Sequence, residues 1–135
     1  MAGPVSMGAL DALLGAEKSG NFYVAVFIPS KQRDGAPLDH DYWRREAVRA
    51  MSSLFGGATS IRGYGGWLDE EQGSQVKEEE ISIVCSFLEE EAWDEETVLA
   101  LKDFLYRMGR DAKQGAIGLY VFGKYLEIRS SRYER

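Results

Sequence analysis

Two amphipathic helical patterns, each set between runs of β-branched and aromatic residues, and a glycine-rich hairpin joining the two middle runs, predict an α+β fold. The order is strand, helix, strand, strand, helix, strand. That is the ferredoxin-like βαββαβ plan, a four-stranded antiparallel sheet with two helices on one face. A chain of 135 residues holds one such domain with a real core and is too short for two ordinary ones. The predicted organisation is an N-terminal extension with a short helix over residues 1–20, a single domain over 21–128 and a polar tail, expected to be mobile, over 129–135.

Leu10, Leu13 and Leu14 fall on one side of a short helix bracketed by Gly8 and Gly15. The first strand is Asn-Phe-Tyr-Val-Ala-Val-Phe-Ile, residues 21–28, ended by Pro29, which has no amide hydrogen to give a ladder. Ser30 to Asp39 reads as an exposed loop, with Lys31, Arg33, Asp34, Gly35 and Pro37. Asp39 or Asp41 caps the helix after it, whose buried face is Trp43, Ala47, Ala50, Met51 and Leu54. Gly56-Gly57 ends that helix.

The hairpin organises the rest. Its first arm, Ala58 to Leu68, follows Gly56-Gly57 and contains Gly63, Gly65 and Gly66, a density that weakens a strand unless the backbone bulges or another group comes close. An acidic turn from Asp69 to Gln75 leads to the return arm, in which Ile81, Ile83, Cys85 and Phe87 alternate with Glu80, Ser82, Val84 and Ser86. The first set is expected to face the helices. Asp94 caps the second helix, Trp93 precedes it, and Val98, Leu101, Phe104 or Leu105, and Met108 line its inner face. Ala116 to Phe122 is the last strand, and Gly123-Lys124 is a turn or bulge before Tyr125 to Ile128, a short fifth strand or a continuation.

Two helices cover only one side of such a sheet, so the other side is left to water or a partner. By alternation it should collect Ser82 and Val84, Tyr120 and Phe122, Arg62 and Tyr64, with either Tyr23 and Phe27 or Phe22 and Val26 from the first strand. An aromatic face of that size is not left bare on a soluble monomer. It implies a homo-oligomer through the sheet face, a protein partner or a stacked flat ligand.

Phe22-Tyr23, Trp43, Gly57-Ala58-Thr59, the run Gly63-Tyr64-Gly65-Gly66-Trp67, Gly73, and Glu79 or Glu80 before Ile81-Ser82-Ile83-Val84 together resemble an uncharacterised bacterial family of small ferredoxin-like proteins. The similarity covers roughly Phe22 to Phe122. It implies the fold, and the family has no settled biochemical role to lend. The long acidic turn and the N-terminal segment depart from the family's pattern.

The net charge of −6 disfavours partners bound by phosphate neutralisation, and the basic-aromatic signature of RNA-recognition modules is missing. One cysteine, Cys85, makes no internal disulfide and fits a reducing, cytoplasmic setting as a buried small hydrophobe. No apolar run is long enough to cross a bilayer, and no cationic region precedes an apolar one in the manner of a secretory signal. The acid clusters at Asp69-Glu70-Glu71, Glu78-Glu79-Glu80, Glu89-Glu90-Glu91 and Asp94-Glu95-Glu96 have no calcium-loop spacing, and those at the helix start suit its dipole. No metal or cofactor is implied. Gly63-Tyr64-Gly65-Gly66 does not lead into a helix, as a phosphate-cradling loop must.

The expected function is a non-catalytic binding or assembly module acting through the sheet face and the hairpin, possible as an accessory subunit. Arg62, Tyr64, Trp67, Glu80, Tyr120 and Phe122 are its expected contact residues. The rival is a small cofactor-free enzyme of the dimeric α+β barrel type, with Tyr64, Trp67, Glu80 or His40 in a pocket, and Glu80 the best general base beside an apolar strand.

Overall fold

The computed structural model describes residues 3–69 and 73–134. Part of the expected acidic turn, residues 70–72, lies outside the described residues. The elements are α1 (Met7–Leu14), β1 (Phe22–Ile28), α2 (His40–Phe55), β2 (Thr59–Asp69), β3 (Gln75–Leu88), α3 (Glu95–Asp111), β4 (Ala116–Val121) and β5 (Lys124–Arg129), with short 3-10 turns at Glu90–Ala92 and Ser130–Arg132. One sheet runs in the order β2-β3-β1-β4-β5 with every neighbouring pair antiparallel. Five strands replace the expected four, because Phe122 and Gly123 take positive φ (53° and 85°) and turn the chain back as a tight hairpin.

Both long helices start where a carboxylate frees the first turn from unsatisfied amides. Asp39 accepts from the amide of Tyr42 at 3.1 Å and Asp94 from that of Thr97 at 2.8 Å. Trp43, Ala47 and Met51 of α2 and Leu101, Phe104, Leu105 and Met108 of α3 pack on Val24, Val26, Ile28, Val84, Ile117 and Leu119 of the sheet. These residues are the core. They place both helices on one side of the sheet.

The other side differs from expectation. Residues directly opposite in a ladder share a face, and β1 pairs Val24 with Ser86, Val26 with Val84 and Ile28 with Ser82. So Ser82, Val84 and Ser86 face the helices, while Ile81, Ile83, Cys85 and Phe87 turn outward, the reverse of the sequence expectation. The reason is that the two serines are satisfied internally. Ser86 donates to the carbonyl of Gly57 at 2.7 Å, and Ser82 Oγ lies 2.7 Å from His40 Nε2. A buried hydroxyl with a partner costs little, so polarity no longer marks the outer face.

Two more expectations change. The glycines of β2 form no bulge: Thr59 to Asp69 pairs residue for residue with Cys85 to Gln75. No helix crowds Gly63, because a Cβ there would meet nothing within 4 Å. The tail is anchored rather than simply polar. Tyr133 is buried, its hydroxyl donates to the carbonyl of Gln114 at 2.5 Å, and its ring lies so close to Gly109 that a Cβ there would come within 2.6 Å of it.

Candidate functional site

The outward side of the sheet is assembled from every strand. β1 gives Tyr23, Ala25 and Phe27, β3 gives Ile81, Ile83, Cys85 and Phe87, β2 gives Ile61 and Trp67, and Tyr120 and Tyr125 come from β4 and β5. Phe87 is 67% exposed, Tyr125 59% and Ile61 53%, values that belong to surface residues of a kind that normally avoid water. Their rings form a connected group. Tyr23 lies 4.9 Å from Phe87 and 5.8 Å from Tyr120 between ring centres, and Phe27 lies 6.3 Å from Tyr125. Gly118 lies beneath them, and a Cβ there would stand 2.8 Å from the Tyr125 hydroxyl, so a side chain at this position would push that ring aside.

A shallow hollow of about 500 Å³ opens here, lined by Asn21, Tyr23, Ala25, Phe27, Ile83 and Tyr120 among others. Ala25 makes its floor by being small between large neighbours. Beside the Cys85 side chain, first through hydrogen bonding to it, then through burial and the neighbourhood of Cys85 and Tyr120, the Tyr23 hydroxyl has its pKa pushed up to about 12. Tyr23 therefore presents a neutral hydroxyl at every physiological pH. Tyr125 is raised too, by burial first and then by Glu127.

Of the six residues expected to make contacts, only some come together. Arg62 bridges Asp41 at 2.9 Å and Glu80 at 3.1 Å, and Tyr64 pairs directly with Glu80. These three lie on the helical side of the sheet. Trp67 pairs with Lys77 on the opposite side, so the four residues do not surround one pocket. Tyr120 belongs to the open face. Phe122 lines the rim of the same hollow, while its ring packs edge-on against Phe22 at 4.3 Å and Trp93 at 5.2 Å, beside the core. The Arg62 bridges are exposed and screened by solvent, so they add little to stability. Asp41 is held below the ordinary carboxylate range, chiefly by its hydrogen bond from Arg44 and then by the charges of Arg44, Arg62 and Arg45.

His40 is structural. Its Nδ1 faces the carbonyl of Pro29 at 2.9 Å, an oxygen that can only accept, so Nδ1 carries the proton and Nε2 accepts from Ser82. Ser82 is wholly buried, out of reach of any substrate. Tyr23, Phe27, Ile83 and Phe87 are what the sequence expectation missed or left as one of two alternatives. The available signal was the strand that is more apolar on the face away from the helices.

No family model and no curated protein matches the sequence. Among solved structures, a phage SAM lyase in complex with S-methyl-5'-thioadenosine superposes with a TM-score of 0.60 at 13% identity, over 86% of this chain and 95% of that one. The apo phage SAM lyase gives 0.57 at 13% identity, over 84% and 93%. A Bacillus cereus protein related to NIF3 gives 0.47 at 13% identity, over 90% of this chain and 33% of that one. At such identity the phage lyase structures establish a shared α+β fold. No helix among the described residues is long and apolar enough to cross a membrane.

Two measurements follow. Alkaline titration of phenolate absorbance should show a component near pH 12 that moves down in Cys85→Ala; because the raised pKa favours the protonated folded form, its stabilising effect is complete below pH 10 and disappears as pH rises towards 12. An unshifted component in Cys85→Ala would remove the hydrogen bond from the account. His40→Ala should cost roughly 1–3 kcal/mol in denaturant unfolding by stranding the Ser82 hydroxyl, and much less in a Ser82→Ala background. Equal costs in both backgrounds would show that the pair is not coupled.

Proposed function

We propose that this protein is a non-catalytic binding and assembly module of ferredoxin-like plan, with a fifth strand added, that self-associates through the open face of its sheet. The plan agrees with the small bacterial family that its glycine-rich run resembles. One observation carries the reading: the more apolar side of β3 points away from the helices and joins aromatic rings from β1, β4 and β5 in one uncovered layer. Turning Ile81, Ile83 and Phe87 outward is costly in water and rewarded only when that layer is covered. The missing side chain at Gly63, with open space above it, leaves room for close approach beside Ile61 and Trp67. A second copy is the natural cover, since closed symmetric pairs are the commonest assemblies of soluble chains.

Light-scattering mass should read twice that of one chain for the wild type and a single chain for Phe87→Glu or Tyr120→Glu, with circular dichroism unchanged. Phe122→Glu should instead lower the unfolding midpoint, because Phe122 packs beside the core. A wild type of single-chain mass at tens of micromolar would end the proposal.

A second reading is a small cofactor-free enzyme of the dimeric α+β barrel type, and the hollow over Ala25 favours it. Aromatic walls and a neutral tyrosine hydroxyl suit a flat ligand, and the phage SAM lyase of like fold holds S-methyl-5'-thioadenosine. Calorimetric titration with S-methyl-5'-thioadenosine should then give saturating heat in the wild type and at least a tenfold weaker response in Tyr23→Ala. No heat in the wild type counts against this reading.

A further inference from the structure

β2 stands at one end of the sheet order and is held by β3 alone, so among the described residues the backbone groups along its outer edge meet no other strand. It is 11 residues long, regular throughout, and none of its residues is buried. Tyr64 at its middle is 80% exposed, and Ile61, Trp67 and Leu68 are exposed too. An open strand edge is a template for another strand, and folded proteins ordinarily guard it by shortness, a bulge, proline or lysine. β2 has none of the four. Before its last residue Arg62 is its one charge, and that side chain is drawn back onto its own Asp41 and Glu80.

The described part of the same chain does not supply that strand. α1 spends its amides within the helix, and Gly20 is pressed onto Leu88, where a Cβ would lie 2.8 Å from the carbonyl oxygen. The residues left between them are too few to run beside a strand of 11 residues. After β5 the tail is pinned, with the Tyr133 ring on Gly109 and its hydroxyl on the carbonyl of Gln114. The partner strand therefore comes from another molecule.

The sequence of β2 is complementary to itself. Two antiparallel strands related by a two-fold axis normal to the sheet pair residues of the same face, so the axis passes through one residue position. With the axis at Tyr64, the whole of Thr59–Asp69 pairs with its copy. Ile61 then meets Trp67 on the open side, twice by symmetry, a cross-strand pair of the stabilising aromatic and β-branched kind. Arg62 meets Gly66, Gly63 meets Gly65 and Asp69 meets Thr59, so no like charges oppose one another. An axis at Gly63 leaves Leu68 and Asp69 without partners in the strand and sets Ile61 against Gly65. An axis at Gly65 leaves Thr59 and Ser60 without partners and sets the Asp69 carboxylate against Ile61.

We propose that β2 pairs with β2 of a second copy, antiparallel about an axis at Tyr64, so that two five-stranded sheets become one continuous sheet. An edge of 11 residues is about 37 Å long and the layer about 10 Å thick, so the contact covers about 750 Å² from the two copies together. That is below the roughly 1,000 Å² of a lasting interface, and the pairing is weak and reversible. It goes beyond the association of open faces. Both faces stay on one side of the joined sheet, so the edge contact adds to that association at high protein concentration and does not replace it.

Tyr64→Cys, Leu68→Cys and the wild type are oxidised slowly in air at high protein concentration and followed by non-reducing electrophoresis. Both changed positions are exposed and Cys85 is buried, so the domain stays folded and the wild type stays unlinked. In the paired strands the two copies of position 64 stand about 4.5–5.5 Å apart between Cα atoms, within reach of a disulfide, and those of position 68 about 27 Å apart. The expected result is a linked pair forming at least about tenfold faster in Tyr64→Cys than in Leu68→Cys. Added to Tyr64→Cys, Ile61→Lys/Trp67→Lys sets like charges opposite each other and slows linking, whereas Ile61→Lys/Trp67→Glu sets opposite charges together and keeps it. Phe87→Glu, which breaks the open face, leaves linking unchanged. Equal linking at positions 64 and 68 means random collision and overturns the proposal, as does faster linking in Gly63→Cys or Gly65→Cys. Equal loss in the two charge variants overturns the register, and loss in Phe87→Glu overturns the edge as a contact in its own right.

Discussion

Ser82 gives its hydroxyl to His40 Nε2 at 2.7 Å, Ser86 gives its own to the carbonyl of Gly57 at 2.7 Å, and these two bonds let the serine side of β3 be buried against the helices. In a strand of period two, a turn of one residue moves every side chain to the other face. With both serines satisfied beneath α2, Val84 enters the core with Val24, Val26 and Ile28, and Ile81, Ile83 and Phe87 are committed outward. Losing either partner would strand a buried hydroxyl. The two bonds therefore work against the alternative in which the more apolar set of β3 faces the helices.

The consequence is a molecule with an inner core beneath the helices and a second apolar layer on the other side of the sheet that no described element covers. Tyr23 stands in the outer layer against Phe87 and Tyr120, and its hydroxyl, with its pKa raised beside Cys85, stays protonated. Tyr133 plays the corresponding part at the far end. It pins the tail to α3 through the bare backbone of Gly109, so that the chain end closes over the core.

The glycines of β2 take on a different meaning in this setting. A regular ladder without a bulge, and open space above Gly63, make them a flat stretch of surface beside Ile61 and Trp67. Among the described residues, the arm beyond Ser82 pairs only with itself, because β1 ends at Ile28 and the Ser30 amide turns to the Glu79 carboxylate at 3.3 Å. A two-stranded ribbon is marginal by itself in water. Trp67 lies on the open-face side of this ribbon, and Leu68 and Val76 are exposed on the other.

Local rules in the sequence determined the elements and their ends. Asp39 and Asp94 are caps by chemistry that needs no distant contact, Gly56 ends α2 at φ 89°, and the spacing of Trp43, Ala47 and Met51 marks a buried stripe. Tyr120 was legible as an open-face residue for the same reason, whereas Phe122 was not, because its positive φ takes it out of strand alternation. Tertiary structure alone decided which side of β3 is inner. Hydrogen bonds from residues 42 and 29 positions away in the chain cancel the polarity of Ser82 and Ser86, and no pattern within the strand records them.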